Sequence, residues 1–557
     1  MTKIINNRLN SWLEGNHVIH ESQIGFRKGH STLDNIFILR EIIQIYNNRK
    51  APLYLCFIDL SKAFDSISKR KLKDKLDNTI PNSRILKLIK NLIDNKRYKI
   101  LYEGEESDIF TLRNGIPQGV SLSPTLFCIF MNDLLTIMDG NIAILDLTKI
   151  NEVTITALMY ADDILLCSET QDGLIKQIGI VNQYCDDNGL KINYNKTKIM
   201  VKNVNTKYSH VNIKHGSSVT AIEIVQEYKY LGMFIANSDR KYIELLENKG
   251  KKSSYTTAKT LREFGHVNGK ILKDTFEILT LSQMRYCGEF LFYKNLKDLN
   301  RIQLQFYKRF CYLKSSTANY CIIGEFGIKP FEFLFYKAAI RLWIKLIDDN
   351  QNSLSSKLYQ SVFNKVNSRE YANTWIHQIR KLLMKLNLSN LWENQLYCNK
   401  NKFIKIADER IRCFFREEWI NSAKNSHKGN RYLELCRFDN DLKSYLCTAS
   451  EMSEDMLIML KFRTGNHKLM AEIGRYGNRR DYEECFCPHC PDEIEDTYHF
   501  LVQCSHLSKL RQRYLTEFIN TTRTEFNLML DNSSGVIMKS ISMFIKEVNK
   551  ERAILQC

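Results

Sequence analysis

At 557 residues the chain has room for roughly three or four domains of about 150 residues each, and 44% hydrophobic residues are enough to bury real cores, which excludes a disordered chain. The 80 Lys+Arg outnumber the 62 Asp+Glu, for a formal net charge of +18, so a polyanion is the natural partner and nucleic acid comes first, although a simply basic protein fits the charge equally well. The N-terminus lacks a signal-peptide core and no apolar run reaches the roughly 18–20 residues of a membrane span, so the 16 cysteines read as reduced thiols of a nuclear or cytoplasmic protein.

In chain order, Leu33 to Asn47 reads as an amphipathic helix and residues 53–58 as a buried strand. From Ser61 onward a helix is expected, with apolar positions Ala63, Phe64, Ile67, Leu72 and Leu76. Ile85 to Ile93 reads as another helix, and Tyr98 to Leu112 as a hairpin turning at Glu103-Gly104. Gly115-Ile116-Pro117-Gln118-Gly119 is a turn before an apolar helix from Pro124 to about Met138. Strands Val153 to Thr156 and Ile164 to Leu166 flank Asp162 and Asp163, a helix runs from Gly173 to Asn188, and Tyr228 to Gly232 is a short strand and turn. From about Lys241 to Lys400 the pattern is nearly all helical and basic, as in Leu299 to Leu313 and Phe331 to Ile347. Mixed strands and crossover helices point to an α+β palm resembling a split βαβ unit.

Chemistry concentrates at three acids. Asp162 and Asp163 stand side by side between two strand-like segments, and Asp59 ends the strand Tyr54-Leu55-Cys56-Phe57-Ile58. Adjacent carboxylates repel unless a cation binds them, and three from neighbouring strands can hold two Mg²⁺ for phosphoryl-type transfer. Taken singly, Asp59 could cap the following helix and Asp162–Asp163 could be an ordinary acidic turn. A second cluster, Cys487-x₂-Cys490-x₈-His499-x₄-Cys504, has the short chelate loop and the His/Cys pair that suit tetrahedral Zn²⁺; unligated thiols are the alternative. Cys485 and His489 are spare candidates, and His506 reads as a surface residue.

The order of these features resembles the reverse transcriptases of non-LTR (LINE-like) retrotransposons. The matching text is Gln23-Ile24-Gly25-Phe26-Arg27-Lys28-Gly29-His30-Ser31-Thr32, Phe57-Ile58-Asp59-Leu60-Ser61-Lys62-Ala63-Phe64-Asp65, Gly115 to Pro124, Tyr160-Ala161-Asp162-Asp163, Gly189 to Lys198, and Tyr230-Leu231-Gly232. The resemblance is strong over about residues 1–235, thin over the helical middle, and returns at the C-terminus. It implies Asp59 and Asp162 as the main Mg²⁺ ligands, with Asp163 supporting. The primer 3′-hydroxyl would attack the α-phosphate of a dNTP. It implies further that Phe64 excludes a ribose 2′-hydroxyl, that Gln118 and Gly119 meet the template–dNTP pair, and that Lys196 (or Lys198) protonates the leaving pyrophosphate. Arg27 and Lys28 would contact template or triphosphate.

The resemblance also implies an Arg-Pro-Ile fingers strand before the helix that holds Lys3-Ile4-Ile5-Asn6-Asn7-Arg8-Leu9. That strand and an apurinic-type endonuclease domain are missing from the text, so an N-terminally truncated element is expected. The Cys/His spacing resembles the family's C-terminal zinc region. The basic stretch Phe462 to Lys468 resembles its Arg-Thr-Gly-His segment, which could touch RNA. The expected organisation is incomplete fingers and palm at 1–235, a helical thumb-like region at 236–330, a helical linker at 331–475 and a zinc module with tail at 476–557. The expected activity is target-primed RNA-directed DNA polymerisation on an RNA template and DNA primer. The competing readings are a remnant that only binds RNA, and a viral RNA-dependent RNA polymerase, which Phe64 and the Tyr-Ala-Asp-Asp text disfavour.

Overall fold

The computed structural model describes residues 2–554 apart from 82, 206–207, 237, 349–352, 396–398, 437–440, 448–452, 475–480 and 532–534. It comprises two units, Met1–Tyr242 with Arg341–Leu396, and Ile243–Ile340 with Tyr397–Cys557. The expected linker at 331–475 is therefore divided: residues 341–396 belong to the first unit and the remainder to the second. No described helix is long and apolar enough to cross a membrane.

In the first unit, helices α1 (Thr2–Gly15) and α2 (Thr32–Arg49) precede strand β1 (Leu53–Ile58). Ser31 and Asp34 form a capping box that starts α2. The expected helix from Ser61 is broken in two: a single turn Ala63–Ser66, then α3 (Lys69–Thr79), capped by Ser68. Ile67, extended between them, leaves Phe64 on its own short turn. Helix α4 (Ser123–Gly140) has its proline in the first turn, where no amide is lost. The hairpin β2 (Ala157–Tyr160) and β3 (Asp163–Ser168) follows, then α5 (Gln171–Asn188) and β4 (Lys198–Lys202). Val153–Ile155 lies outside this sheet and pairs with Thr148–Ile150.

The strand order is β2-β3-β1-β4, antiparallel throughout. β1 is buried on both faces, which explains its unbroken apolar run. Tyr54, Cys56 and Ile58 share a core with Leu126, Phe130 and Leu134 of α4 and Leu174, Ile178 and Val181 of α5. On the other face Phe57 stacks on Tyr228 at 4.2 Å.

Residues 341–396 close over α2 by polar contacts to buried groups. Lys345 Nζ donates to Asp34 at 2.8 Å, and Asp34 is 1% exposed. The Trp375 amide donates to the buried Glu41 at 2.6 Å. Asn48 donates to the carbonyls of Glu370 and Ala372 at 2.7 and 2.6 Å. Asn151, at the turn between the two short strands beside the sheet, donates to the Ser361 carbonyl at 2.9 Å.

The second unit is mostly helical, with one small hairpin among its described residues, Phe486–Cys487 with Cys490–Ile494. Its centre is a buried ion pair. Arg463 Nε lies 3.0 Å from both oxygens of Glu325, and both side chains are fully enclosed. Tyr432 and Tyr445 donate to the same carboxylate at 2.9 and 2.8 Å, and Arg463 also donates to the Leu530 carbonyl at 2.7 Å. The expectation that the Phe462 to Lys468 stretch touches RNA is corrected for its arginine. Arg463 ties four helices together from inside, and Thr464 beside it is buried. Removing either partner would strand a charge in the core, at a cost of about 3–5 kcal/mol.

Candidate active site and cysteine–histidine cluster

Strand register brings the three acids together. Tyr160 pairs with Asp163, so Ala161 and Asp162 form a two-residue hairpin turn. Ala161 has a φ of 58°, the left-handed backbone such turns require. Ile58 pairs with Ile164; one step further along the ladder, Asp59 lies opposite Asp163. Burial, then the charge of Asp59, raises the Asp162 carboxyl above its ordinary range. Withdrawal from water, then Asp162, then Asp59, pushes Asp163 up to about 6. A site that raises two neighbouring acids in this way is suited to a cation, which would relieve both effects.

The Gly189 to Lys198 text has a physical reason. The Asn193 amide donates to the Asp59 carbonyl at 2.8 Å, the Ser61 amide to the Lys191 carbonyl at 2.8 Å, and the Asp59 amide to Thr197 Oγ1 at 3.3 Å. This zipper holds Asp59 from the side away from β3. It also brings Lys196 Nζ to 3.9 Å from the Asp59 carboxylate, with the lysine side chain 69% exposed.

The Gly115 to Gly119 loop docks on the short turn that carries Phe64. The Ile116 amide donates to the Phe64 carbonyl at 3.0 Å and the Gly115 amide to Ile67 at 2.8 Å. Gly115 has φ +88°, and a Cβ there would meet the Asp65 carbonyl oxygen at 3.0 Å, so glycine is required twice over. The Phe64 ring stacks on Phe127 at 4.5 Å. Gln118 reaches Asp65 at 3.4 Å, and Gly119 is exposed with φ +81°. A cavity of about 510 Å³ opens beside this loop, lined by Leu92, Tyr98, Ile116, Val120 and Leu126 among others; the three acids are not part of its wall.

Arg27 is placed differently from expectation. Its guanidinium is committed to Glu14, at 2.9 and 2.8 Å, and to the carbonyls of His20 and Gln23. A side chain so fully bonded positions its own loop and is not free for a substrate. Lys28 is exposed beside it. Two further residues border the acids without a role implied by their motifs. Tyr228 has its phenol pushed up to about 12 by burial and by Asp163 and Asp59. Gln23 lies fully buried against the Ala161 turn. Gln23 stands within quoted motif text, whereas nothing local marks Tyr228.

In the second unit, Cys487, Cys490, His499 and Cys504 offer ligand atoms all within 4.8 Å of one another. Cys504 Sγ lies 4.0 Å from Cys487 Sγ and 3.9 Å from Cys490 Sγ. Tetrahedral Zn–S bonds of about 2.3 Å would set sulfurs about 3.8 Å apart. Both ring nitrogens of buried His499 lack a protein partner, and burial lowers its pKa, which favours the neutral, lone-pair-bearing form a metal needs. Burial raises the Cys487 and Cys504 thiols, Cys504 to about 12, with the neighbouring sulfurs adding to the effect; a bound cation would reverse this. Arg511 steadies the site by donating to the carbonyls of Leu501 and Cys504 at 2.9 and 2.8 Å. His489 and His506 stack on each other at 3.8 Å, outside the cluster.

The family model described as "Reverse transcriptase (RNA-dependent DNA polymerase)" matches residues 1–235. This part of the chain is thus similar to reverse transcriptases. The curated relatives it matches are RNA-directed DNA polymerases and Pol polyproteins of transposable elements. The chain is 30% identical over 202 residues to the "Probable RNA-directed DNA polymerase from transposon BS" of Drosophila melanogaster, covering 35% of this chain and 21% of that protein. It is 26% identical over 268 residues to the Pol polyprotein of the "type-2 retrotransposable element R2DM" of the same fly, covering 47% and 25%. The reverse transcriptase match thus spans a quarter or less of those relatives. A telomerase structure from Candida tropicalis is 13% identical, with a TM-score of 0.34, covering 73% of this chain and 60% of that one.

Proposed function

We propose that the chain is an RNA-directed DNA polymerase that extends a primer 3′-hydroxyl with dNTPs on an RNA template, target-primed in a nuclear and cytoplasmic life cycle. One observation carries this reading: Asp59, Asp162 and Asp163 meet at the open end of one sheet, where burial and mutual repulsion favour a cation. Asp59 and Asp162, with Asp163 in support, would hold two Mg²⁺ ions, which supply charge for the attacking and leaving oxygens. The chain's own residues do the rest. The zipper from Lys191 to Thr197 fixes Asp59 and presents the Lys196 ammonium, a proton donor for departing pyrophosphate. Phe64, backed by Phe127, sets a wall against a 2′-hydroxyl. Gln118 and Gly119 offer an exposed loop for the base-paired nucleotide.

The first unit supplies fingers and palm in this reading, and the helices after Tyr242 supply a thumb-like region. Cys487, Cys490, His499 and Cys504 bind a structural Zn²⁺. The +18 charge suits the phosphates of an RNA–DNA hybrid. The test is primer extension by the purified chain on an RNA template with Mg²⁺. Extension is expected for the wild type, with a rise in rNTP use relative to dNTP for Phe64→Val. A wild-type chain that binds hybrid and dNTP yet never extends would overturn the proposal.

A further inference from the structure

Gln23 reaches across 138 residues of sequence to hold the backbone of the turn between the two motif strands. Its Oε1 accepts from the Ala161 amide and from the Gly25 amide, both at 3.1 Å. Its Nε2 donates to the Ala161 carbonyl at 3.3 Å. The side chain is 0% exposed, so these bonds are not exchanged with water. The flanking backbone joins in: the Met159 amide donates to Ser22 and the Ile24 amide to Met159, at 2.9 and 3.1 Å.

The approach is close enough to exclude any side chain at Gly25, where a Cβ would sit 2.4 Å from the Ala161 nitrogen. The Gly25 carbonyl is itself held by the Cys128 thiol at 3.2 Å. The residue so clamped, Ala161, has φ 58°, a conformation costly without a Cβ-free residue. The N–H of the peptide unit before the Ala161 Cα and the carbonyl of the unit after it are both tied to one amide side chain, and the next residue is Asp162.

We infer that Gln23 is a positioning residue for the carboxylate site: it locks the left-handed Ala161 and thereby fixes the direction in which Asp162 presents its oxygens. The inference rests on the polymerase reading for its consequence, and on hydrogen-bond geometry for its cause. Gln23 touches no reacting atom. It acts as an outer-layer partner of a metal ligand, a class whose loss typically weakens metal affinity by about 10–100-fold.

The test uses the full chain with Gln23→Ala, Gln23→Glu and Gly25→Ala, and two readouts. Mn²⁺ binding is followed by electron paramagnetic resonance without nucleotide, and primer extension is titrated with Mg²⁺ at saturating dNTP. Gln23→Ala and Gly25→Ala are expected to weaken Mn²⁺ binding about tenfold and to raise the half-saturating Mg²⁺ by a similar factor. Gln23→Glu keeps the shared acceptor, and its buried carboxyl, protonated, can still donate to the Ala161 carbonyl, so it should shift both less. It decides the matter if the other two fail to fold. A purely structural role would lower the melting temperature and leave the Mg²⁺ midpoint unchanged, and that result, or unchanged Mn²⁺ binding, overturns the inference. If instead Asp162→Asn and Gln23→Ala both weaken Mn²⁺ binding but the wild type never extends a primer, the polymerase reading fails and the clamp stands.

Discussion

The carboxylate site and the cysteine–histidine cluster are opposite solutions to holding charged ligands. The acids stand on a four-stranded sheet whose central strand is buried on both faces. Backbone bonds from three segments, 22–25, 191–197 and the β2–β3 turn, hold them in place against their own repulsion. The cluster stands on a hairpin whose first strand has two residues and whose second is largely exposed, and its histidine has no protein partner. In the first region the fold supports the ligands. In the second the ligands, once joined by an ion, support the fold.

The strongest way to break this contrast is to delete a ligand from each site and compare what is lost. Asp162→Asn should cut primer extension by at least about 10³-fold, since several kcal/mol of charge stabilisation disappears and each 1.4 kcal/mol is tenfold. Its melting temperature should stay level or rise, because one of three repelling acids is gone. A fall of many degrees would mean that the sheet depends on this acid.

Cys504→Ser, or a strong chelator, should do the reverse. Bound zinc should be lost in a one-to-one fashion, and hydrogen exchange should rise across residues 481–515 while β1 stays protected. Simple primer extension should change little. Zinc absent from the purified wild-type chain, or no change in exchange on chelation, would remove the contrast.

A third, smaller effect sharpens the comparison by showing what a buried acid does when no neighbouring acid is involved. Burial pushes Glu41 up to about 8, only partly offset by the Trp375 amide and the charge of Arg40. The folded state therefore holds the proton more tightly than the unfolded chain. Stability from this group is complete below about pH 4.5 and is lost as pH rises through about 8. Glu41→Gln should be close to wild type at pH 5 and more stable at pH 9, by about 1.4 kcal/mol for each unit of the wild-type shift. Parallel melting curves against pH would refute the assignment.

The palm side of this contrast is legible in the text because its ligands sit at the ends of strong apolar strands. The cluster is legible because chelate spacing is a local property. What escapes is nonlocal polar pairing. Arg27 looks like a substrate contact until Glu14 is seen to face it, and Arg463 looks like a surface base until Glu325, 138 residues away, encloses it. Glycine placement hints at Gln23, since Gly25 beside it must lie flat against another backbone, but the partner is visible only in three dimensions. The return of residues 341–396 to the first unit escapes entirely, because an amphipathic helix does not say which surface it covers.

That return bears on how the protein is made. The first unit is discontinuous, and Asp34, Glu41, Asn48 and Asn151 each gain a partner among residues 345–375. During synthesis the segment up to Tyr242 must wait for about a hundred further residues before its exposed polar groups on α2 are covered. A polypeptide cut off near residue 235, at the edge of the recognised domain, would leave the ribosome with that face of α2 bare.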